Sequence, residues 1–532
     1  METFSLGLDK LSYETLVSFG RNKDLKFKVS PDTEKKIKNS RKIIDKILGD
    51  EKSYYGINTG FGFLSNVKIS SDKLVELQLN LIRSHACGVG DLVSEEIVRS
   101  LVFLRTHNFA LGHSGVSREL ISFMKECLEK DFTPLLYEQG SVGASGDLAP
   151  LAHLALGFIG EGKATYSGKI LKASSAMSRL KLTPYSPKAK EGLSLINGTS
   201  FMAALASFAL SEARILQISA DIITALSLSA IKGSLSPFQK EVHEVRKQEG
   251  QRKVAHFISS LFDTKDEILE SHKNCDRVQD PYSFRCAPQV HGATVDVIEF
   301  AETIVNRELS SVTDNPLVFS GGKIISGGNF HGQPLAYSMD FLAIAVSELG
   351  SISERRIDKM INPTMSPHPP FLIEGSGLNS GYMIPQVVAA SLVSENKILS
   401  HPASVDSIPT SCDKEDHVSM GPIACHKARK INRNVANILA IELLAACQGI
   451  DLLKPLKPNK YLEPIYDKVR SISPYMKKDR SLSDDIKAVS ELIQSGELIR
   501  LVNPIGISQH YDLPGIQKLF LRKNFVGKLN SH

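Results

Sequence analysis

The stretch Gly140-Ser141-Val142-Gly143-Ala144-Ser145-Gly146-Asp147-Leu148-Ala149-Pro150-Leu151-Ala152-His153 holds the densest chemical signal in the chain. Its glycines allow a tight turn. Asp147 and Pro150 then suit the start of a helix, one as a cap and the other because a first-turn N–H has no helical partner. A turn that runs into a helix start gathers free backbone N–H groups, so its minimal chemistry is anion binding. More specific phosphate readings are weak. The lysine of a P-loop is missing, and so is the GxGxxG spacing of a dinucleotide site. Metal chemistry lacks its donors as well. His107 and His113 do not have HExxH spacing, and no CxxC pair occurs, so no required metal is expected.

Helices must position these groups. The apolar stretches Phe201–Ile231 and Val435–Ile450 are interrupted by Glu212, Arg214, Asp221 and Glu442. Neither reaches the ~18 uninterrupted apolar residues of a membrane span. Both are rich in Ala and Leu and apolar on nearly every face, which predicts core helices enclosed by others, within one chain or several. Ser30-Pro31 predicts another helix start, with Ile37, Ile44, Ile47 and Leu48 on one face and Gly49 as the stop. Lys35, Lys36, Lys38 and Lys42 read as its solvated side. Strand-like alternation is rare. Gly- and Pro-dense stretches at 56–62, 140–146, 315–332 and 363–370 predict loops, where a rigid scaffold tends to carry chemistry. Lys454-Pro455-Leu456-Lys457-Pro458 separates the last apolar helix from a more polar C-terminal segment.

Composition narrows the classes further. The 532 residues are 42% hydrophobic and 23% charged, which excludes collagen-like and disordered chains. A net charge of +5 lacks the footprint of a dedicated nucleic-acid binder. Seven scattered cysteines, an odd number, argue against a disulfide framework and for a reducing compartment. Met1–Glu14 lacks a basic region followed by an apolar run, and Asn530-Ser531-His532 matches no retention or peroxisomal address. A cytoplasmic location is therefore expected, with neither nucleic acid nor membrane as partner.

Six separate stretches point to a family. They are Tyr55-Gly56-Ile57-Asn58-Thr59-Gly60-Phe61-Gly62, the frame around Ala144-Ser145-Gly146, and Leu195-Ile196-Asn197-Gly198-Thr199. The others are Gln279-Asp280-Pro281-Tyr282-Ser283-Phe284-Arg285-Cys286, Gly327-Gly328-Asn329-Phe330-His331-Gly332 and Glu415-Asp416-His417-Val418-Ser419-Met420. In this order they resemble the aromatic amino acid ammonia-lyase family, over about Tyr55 to Met420. The resemblance implies that Ala144-Ser145-Gly146 cyclises into 4-methylidene-imidazol-5-one (MIO), with no external cofactor. The Gly146 amide nitrogen would attack the Ala144 carbonyl carbon, an approach that a Cβ would hinder. Two waters would leave, one carrying the Ser145 hydroxyl. The remaining exocyclic methylene is an electrophile that no coded side chain supplies, and a helix N-terminus near Asp147 would raise its electron demand.

The implied reaction is non-oxidative, non-hydrolytic loss of ammonia from an α-amino acid. Tyr55 is then the candidate base for the β-proton, although a phenol titrates near pH ~10 and needs help. Its neighbour Tyr54 is assigned to packing. Arg285 resembles the residue that holds the substrate carboxylate, to which a guanidinium fork is matched. Asn197 and Gln279 resemble residues that bond MIO or the substrate. Tyr282 resembles a second tyrosine assisting ring formation or proton handling, and Phe330 an aromatic wall. Three residues bear on substrate choice. Glu415 stands where phenylalanine- and tyrosine-acting relatives carry Gln, His85 follows Ser84 in a histidine-type pair, and Met383 resembles a side chain packed on the ring. Together they imply L-histidine as substrate and trans-urocanate as product, the first step of histidine degradation. A carboxylate suits imidazole N–H donors, whereas a phenyl ring would leave it unpaired.

Cys87 and the run Cys412, Asp413, Lys414 depart from the family pattern, at positions without an assigned chemical role. Helix content and the resemblance together predict a mainly α fold. Residues 116–532 would form a large central bundle of long, near-parallel helices carrying the MIO loop at a helix N-terminus. Residues 1–115 would form a smaller N-terminal lobe carrying the Tyr55 loop. The resemblance also implies a homotetramer whose active sites are shared between subunits. Two rivals remain at this point: an MIO aminomutase, which returns the ammonia at the β-carbon, and a non-catalytic member of the family.

Overall fold

The computed structural model describes residues 3–48, 50, 52–375, 377–502, 511 and 513–519. Gly49 and the terminal Asn530-Ser531-His532 lie outside the described residues. The fold is mainly α, as expected. Strands are short, at most four residues, and pair in two- and three-stranded ribbons such as Val89–Leu92 with Tyr137–Gln139.

The Ser30 helix forms where its local signals place it, over Pro31–Ile47. The Ser30 hydroxyl accepts the Thr33 N–H at 3.2 Å, while Pro31 occupies the position that needs no donor. Ile37, Ile44 and Ile47 are buried, and the four lysines are exposed. Tyr54 packs against the cluster of Ile44, Ile47, Ile57 and Val318, with its hydroxyl donating to Asp50.

The chain groups into two compact units that are not contiguous in sequence. The first holds residues up to 208 with 302–339 and 402–426, and the second holds 209–301, 340–401 and the described residues from 427 onward. The chain crosses the boundary five times, four of them inside the long helices Ser200–Ala230, Ala287–Leu309, Gln333–Ile361 and Gly421–Asp451, so no single point along the chain expresses it. Within the first unit the helices Leu74–His85, Leu148–Phe158 and Glu191–Ile196 pack on one another. The first ends at His85, the second directly follows Asp147, and the third directly precedes Asn197.

Within the second unit, the charges that interrupt the apolar stretches find partners. Glu442, fully buried, accepts from Arg356 Nε at 2.5 Å, from Arg356 Nη2 at 2.9 Å and from the Ser227 hydroxyl at 2.7 Å. Asp221 Oδ1 lies 2.6 Å from His291 Nδ1, and His291 Nε2 faces Arg356 Nη1 at 3.3 Å. A guanidinium only donates, so His291 carries its proton on Nδ1 and gives it to Asp221. Arg356 Nη1 also donates to the Ser283 carbonyl at 3.4 Å, which ties this network to the turn bearing Tyr282 and Arg285. Ser200–Ala230 and Gln333–Ile361 are long and apolar enough to cross a membrane, but 94% and 61% of their most apolar windows are already covered by protein.

Candidate active site

The Ala144-Ser145-Gly146 turn is pressed backbone to backbone against the Asn197 segment. Gly198 N–H donates to the Ser145 carbonyl at 3.2 Å, and Asp147 N–H donates to the Gly198 carbonyl at 2.9 Å. A Cβ on Gly146 would sit 2.1 Å from the Gly198 oxygen, so only glycine fits. Gly146 has φ +80° and Ser145 φ +52°, the left-handed region that a residue with a Cβ enters at a cost of ~1–2 kcal/mol. On its other side the loop is held by Met420 N–H, which donates to the Val142 carbonyl at 2.9 Å.

The helix after the turn does start at Leu148, directly following Asp147. Asp147 does not cap it, contrary to the local reading. Its carboxylate instead accepts the Met202 N–H at 2.9 Å, at the start of Ser200–Ala230. It serves a different helix N-terminus, and burial pushes its pKa up to about 7.

A cavity of about 1260 Å³ opens beside this turn within the first unit. Ala144 and Ser145 line it together with Tyr55, His85, Asn197, Phe330 and Glu415. Each comes from a different segment. Gly62 N–H faces the Tyr55 hydroxyl oxygen at 3.5 Å. Burial raises the phenol's pKa, the Gly62 N–H opposes that, and the Glu415 charge adds to it. Ionising Tyr55 at neutral pH therefore needs positive charge brought to the site. His85 ends the helix Leu74–His85. Its Nδ1 is 2.8 Å from the Leu81 carbonyl, which can only accept, so Nδ1 bears the proton and Nε2 is left as an acceptor. Burial lowers its pKa and keeps the ring neutral.

Asn197 follows the helix Glu191–Ile196 and is buried apart from its place on the cavity wall. Glu415 is held by paired backbone bonds with Thr410 (3.0 and 3.3 Å) around a turn in which Ser411, Cys412 and Asp413 all have positive φ. Its Oε2 is buried and accepts no hydrogen bond among the described residues. A buried carboxylate oxygen without a donor is costly, and an N–H from a ligand would satisfy it.

The other predicted residues lie in the second unit and do not line this cavity. Tyr282 and Arg285 share a short helix, with the guanidinium 4.2 Å above the Tyr282 ring. Tyr282 is 73% exposed. Arg285 Nε is buried with no acceptor among the described residues, the complement a carboxylate would supply. Gln279 is exposed, and half-buried Met383 opens the helix Met383–Leu399.

Two cavity residues escaped the sequence reading although their motifs were quoted. His331 and His417 stack with ring centroids 5.9 Å apart and planes at 7°. His331 Nδ1 accepts the Gln333 N–H at 3.3 Å, so its Nε2 donates to the His417 carbonyl at 3.2 Å. Arg105, Lys190 and Asp314, which surround Asn197, carried no local signal at all. None of the seven cysteines is joined in a disulfide among the described residues.

Comparisons with known proteins agree with one another. The sequence model described as aromatic amino acid lyase matches residues 11–471. A histidine ammonia-lyase of Myxococcus xanthus is 48% identical over 496 residues, covering 93% of this chain and 97% of the relative. The crystal structure of histidine ammonia-lyase from Trypanosoma cruzi superposes with a TM-score of 0.88 at 42% identity, covering 98% and 99% of the two chains. A tyrosine aminomutase from Streptomyces globisporus superposes equally well, TM-score 0.88, at 35% identity over 96% and 99%.

Proposed function

The chain belongs to the aromatic amino acid lyase family, and from that premise we infer that it is an ammonia-lyase that converts L-histidine to trans-urocanate. The observation that carries the substrate is the donorless, buried Glu415 Oε2 on the same cavity as the neutral His85 ring. Two acceptors lining one cavity suit an imidazolium ring, whose two N–H groups both donate. A phenyl ring would leave both unpaired.

Ala144, Ser145 and Gly146 would hold the MIO group as part of their own backbone. The fit is supported by the close approach that only a glycine at 146 allows. When formed, the group supplies the electrophile that makes the amine a better leaving group. Tyr55 takes the β-proton. Its raised pKa means that this step relies on positive charge arriving with the substrate or its carboxylate partner. Phe330 walls the site, and Asn197 orients the substrate. Gln279, Tyr282, Arg285 and Met383 complete it, with Arg285 gripping the carboxylate.

These four stand in the second unit, and the assembly we propose is a homotetramer whose sites draw residues from three chains. Exposed apolar side chains at helical spacing support it: Tyr337, Phe341 and Ile344 on one helix, Ile384, Val387 and Val388 on another. Seven cysteines without a disulfide among the described residues favour a reducing, cytoplasmic setting. Co-assembly tests the shared site. Ser145→Ala and Arg285→Ala tetramers should each be nearly inactive, yet chains of both kinds co-expressed should recover a measurable fraction of wild-type turnover. Zero recovery in mixed tetramers would place all the residues of a site on one chain.

Reaction and substrate are tested by near-ultraviolet absorbance of purified protein with L-histidine, L-phenylalanine and L-tyrosine. A rise from conjugated urocanate with histidine alone is expected. Because the same fold serves a tyrosine aminomutase, the product must also be identified. β-Histidine in place of urocanate would overturn the ammonia-lyase reading.

A further inference from the structure

What Asn197 can offer a ligand depends on which way its amide faces. Its Nδ2 donates to Asp314 Oδ1 at 3.3 Å and to the Asn315 carbonyl at 3.2 Å. A carbonyl is acceptor-only, as is an ionised carboxylate, and an amide nitrogen has two hydrogens, so both are consumed. Oδ1 is then the polar atom left for the cavity, and it can only accept.

Asp314 is itself held by a buried network. Lys190 Nζ lies 2.9 Å from Asp314 Oδ2, with side-chain exposures of 0% and 4%. The Ser194 hydroxyl donates to the same oxygen at 2.8 Å, and Lys190 Nζ donates to Ser194 Oγ at 2.9 Å. The Lys190 charge keeps the Asp314 carboxyl ionised, its pKa below the usual value despite burial. The backbone of the same turn is gripped separately. Arg105, wholly buried, donates through Nη2 to the carbonyls of Asn197 (2.6 Å) and Ser194, and through Nη1 to the Ser200 hydroxyl at 3.2 Å. A fully buried Lys–Asp pair adds little net stability compared with apolar residues of the same volume. What this pair does supply is an acceptor that fixes the orientation of one amide on the cavity wall.

We propose that Lys190 and Asp314 are positioning residues that hold Asn197 with its carbonyl oxygen toward the cavity, where it accepts from an N–H of the substrate. The proposal rests on the ammonia-lyase reading, which brings an amine donor beside Ala144 and Ser145. Without the pair the amide is free to turn, and an NH₂ group would face the amine it should bind. Misplacement on that scale costs up to ~10²-fold in rate.

The test is a double-mutant cycle on the assembled enzyme. Lys190→Met with Asp314→Leu removes both charges and the acceptor at once, so neither charge is stranded. Asn197→Ala and the triple variant complete the cycle. Intact mass shows whether the two-water loss of MIO formation still occurs, thermal melting reports the fold, and kcat and KM are read with L-histidine. The paired change should keep the mass deficit and the fold while lowering kcat at least ~10-fold. It should cause no further loss in the Asn197→Ala background, because there it has nothing to position. Equal losses in both backgrounds, or unchanged kcat, would overturn the proposal. If the paired variant does not assemble, Ser194→Ala enters the same cycle, since it removes one bond to Asp314 without stranding a charge. A several-fold fall in kcat that vanishes beside Asn197→Ala is expected there, and additive losses would overturn the proposal. A crystal structure of the paired variant, or of Ser194→Ala in its place, gives a readout independent of turnover: the Asn197 amide should leave the Asn315 carbonyl. Were the wild-type chain to leave histidine untouched, the ammonia-lyase reading would fail. The amide's place in that crystal would still decide this one, and an unmoved amide would overturn it.

Discussion

Ser145→Ala is expected to turn over L-histidine at least ~10³-fold more slowly than the wild-type chain, the scale of losing a catalyst's reacting group. In the proposed cyclisation the hydroxyl of residue 145 is the oxygen that leaves in one of the two dehydrations, and alanine has none to lose. The backbone electrophile then cannot form, and no neighbouring side chain can replace it. The fold should be spared. Ser145 accepts the Gly198 N–H through its backbone carbonyl, and alanine keeps that carbonyl. The φ of +52° strains serine and alanine alike. Three measurements separate chemistry from folding. Urocanate formation should be nearly abolished, and the melting temperature should change little. Intact mass should match the full sequence, whereas the wild-type chain should be lighter by two waters. Wild-type activity in Ser145→Ala would defeat the MIO assignment outright.

Glu415→Gln should lower kcat/KM for L-histidine by roughly 10²-fold, about 2.7 kcal/mol of transition-state stabilisation. Glutamine keeps the shape of the side chain. It loses the charge that makes a carboxylate hydrogen bond roughly twice as strong as a neutral one, and it can place an NH₂ where an acceptor is needed. Assembly should be unaffected, because Oε2 has no partner among the described residues to lose. The pH profile gives a second readout. The Glu415 charge helps to raise the Tyr55 pKa, so removing it lets the phenol ionise at lower pH. The rising limb of kcat/KM, where the base loses its proton, should therefore move toward acid in the variant. A merely structural loss would leave that limb in place. Unchanged histidine kinetics would show that Glu415 does not select the substrate.

Some of this protein is written in neighbouring residues. Ser30-Pro31 starts a helix because a hydroxyl three positions from an N–H can cap it, and Pro31 needs no donor there. The left-handed backbone at Gly146, φ +80°, is likewise a local property, since a residue without a Cβ adopts it readily. The family motifs are short strings of this kind, which is why the Ala144-Ser145-Gly146 turn and several residues that line its cavity could be named before any fold was known.

Tertiary structure decided the rest. Asp147 reads locally as the cap of its own helix, but its carboxylate serves Met202, 55 positions away. Glu442 and Asp221 read only as interruptions in apolar stretches, because their partners, Arg356 and His291, lie 86 and 70 positions distant. The orientation of Asn197 rests on Asp314 across 117 positions. Neither residue's immediate sequence mentions the other. A hydrogen bond acts over about 3 Å, so the sequence by itself determines those bonds whose partners the chain brings together within a turn. A partner across the core is chosen only when packing has fixed both ends, and in this protein those are the bonds that orient the site.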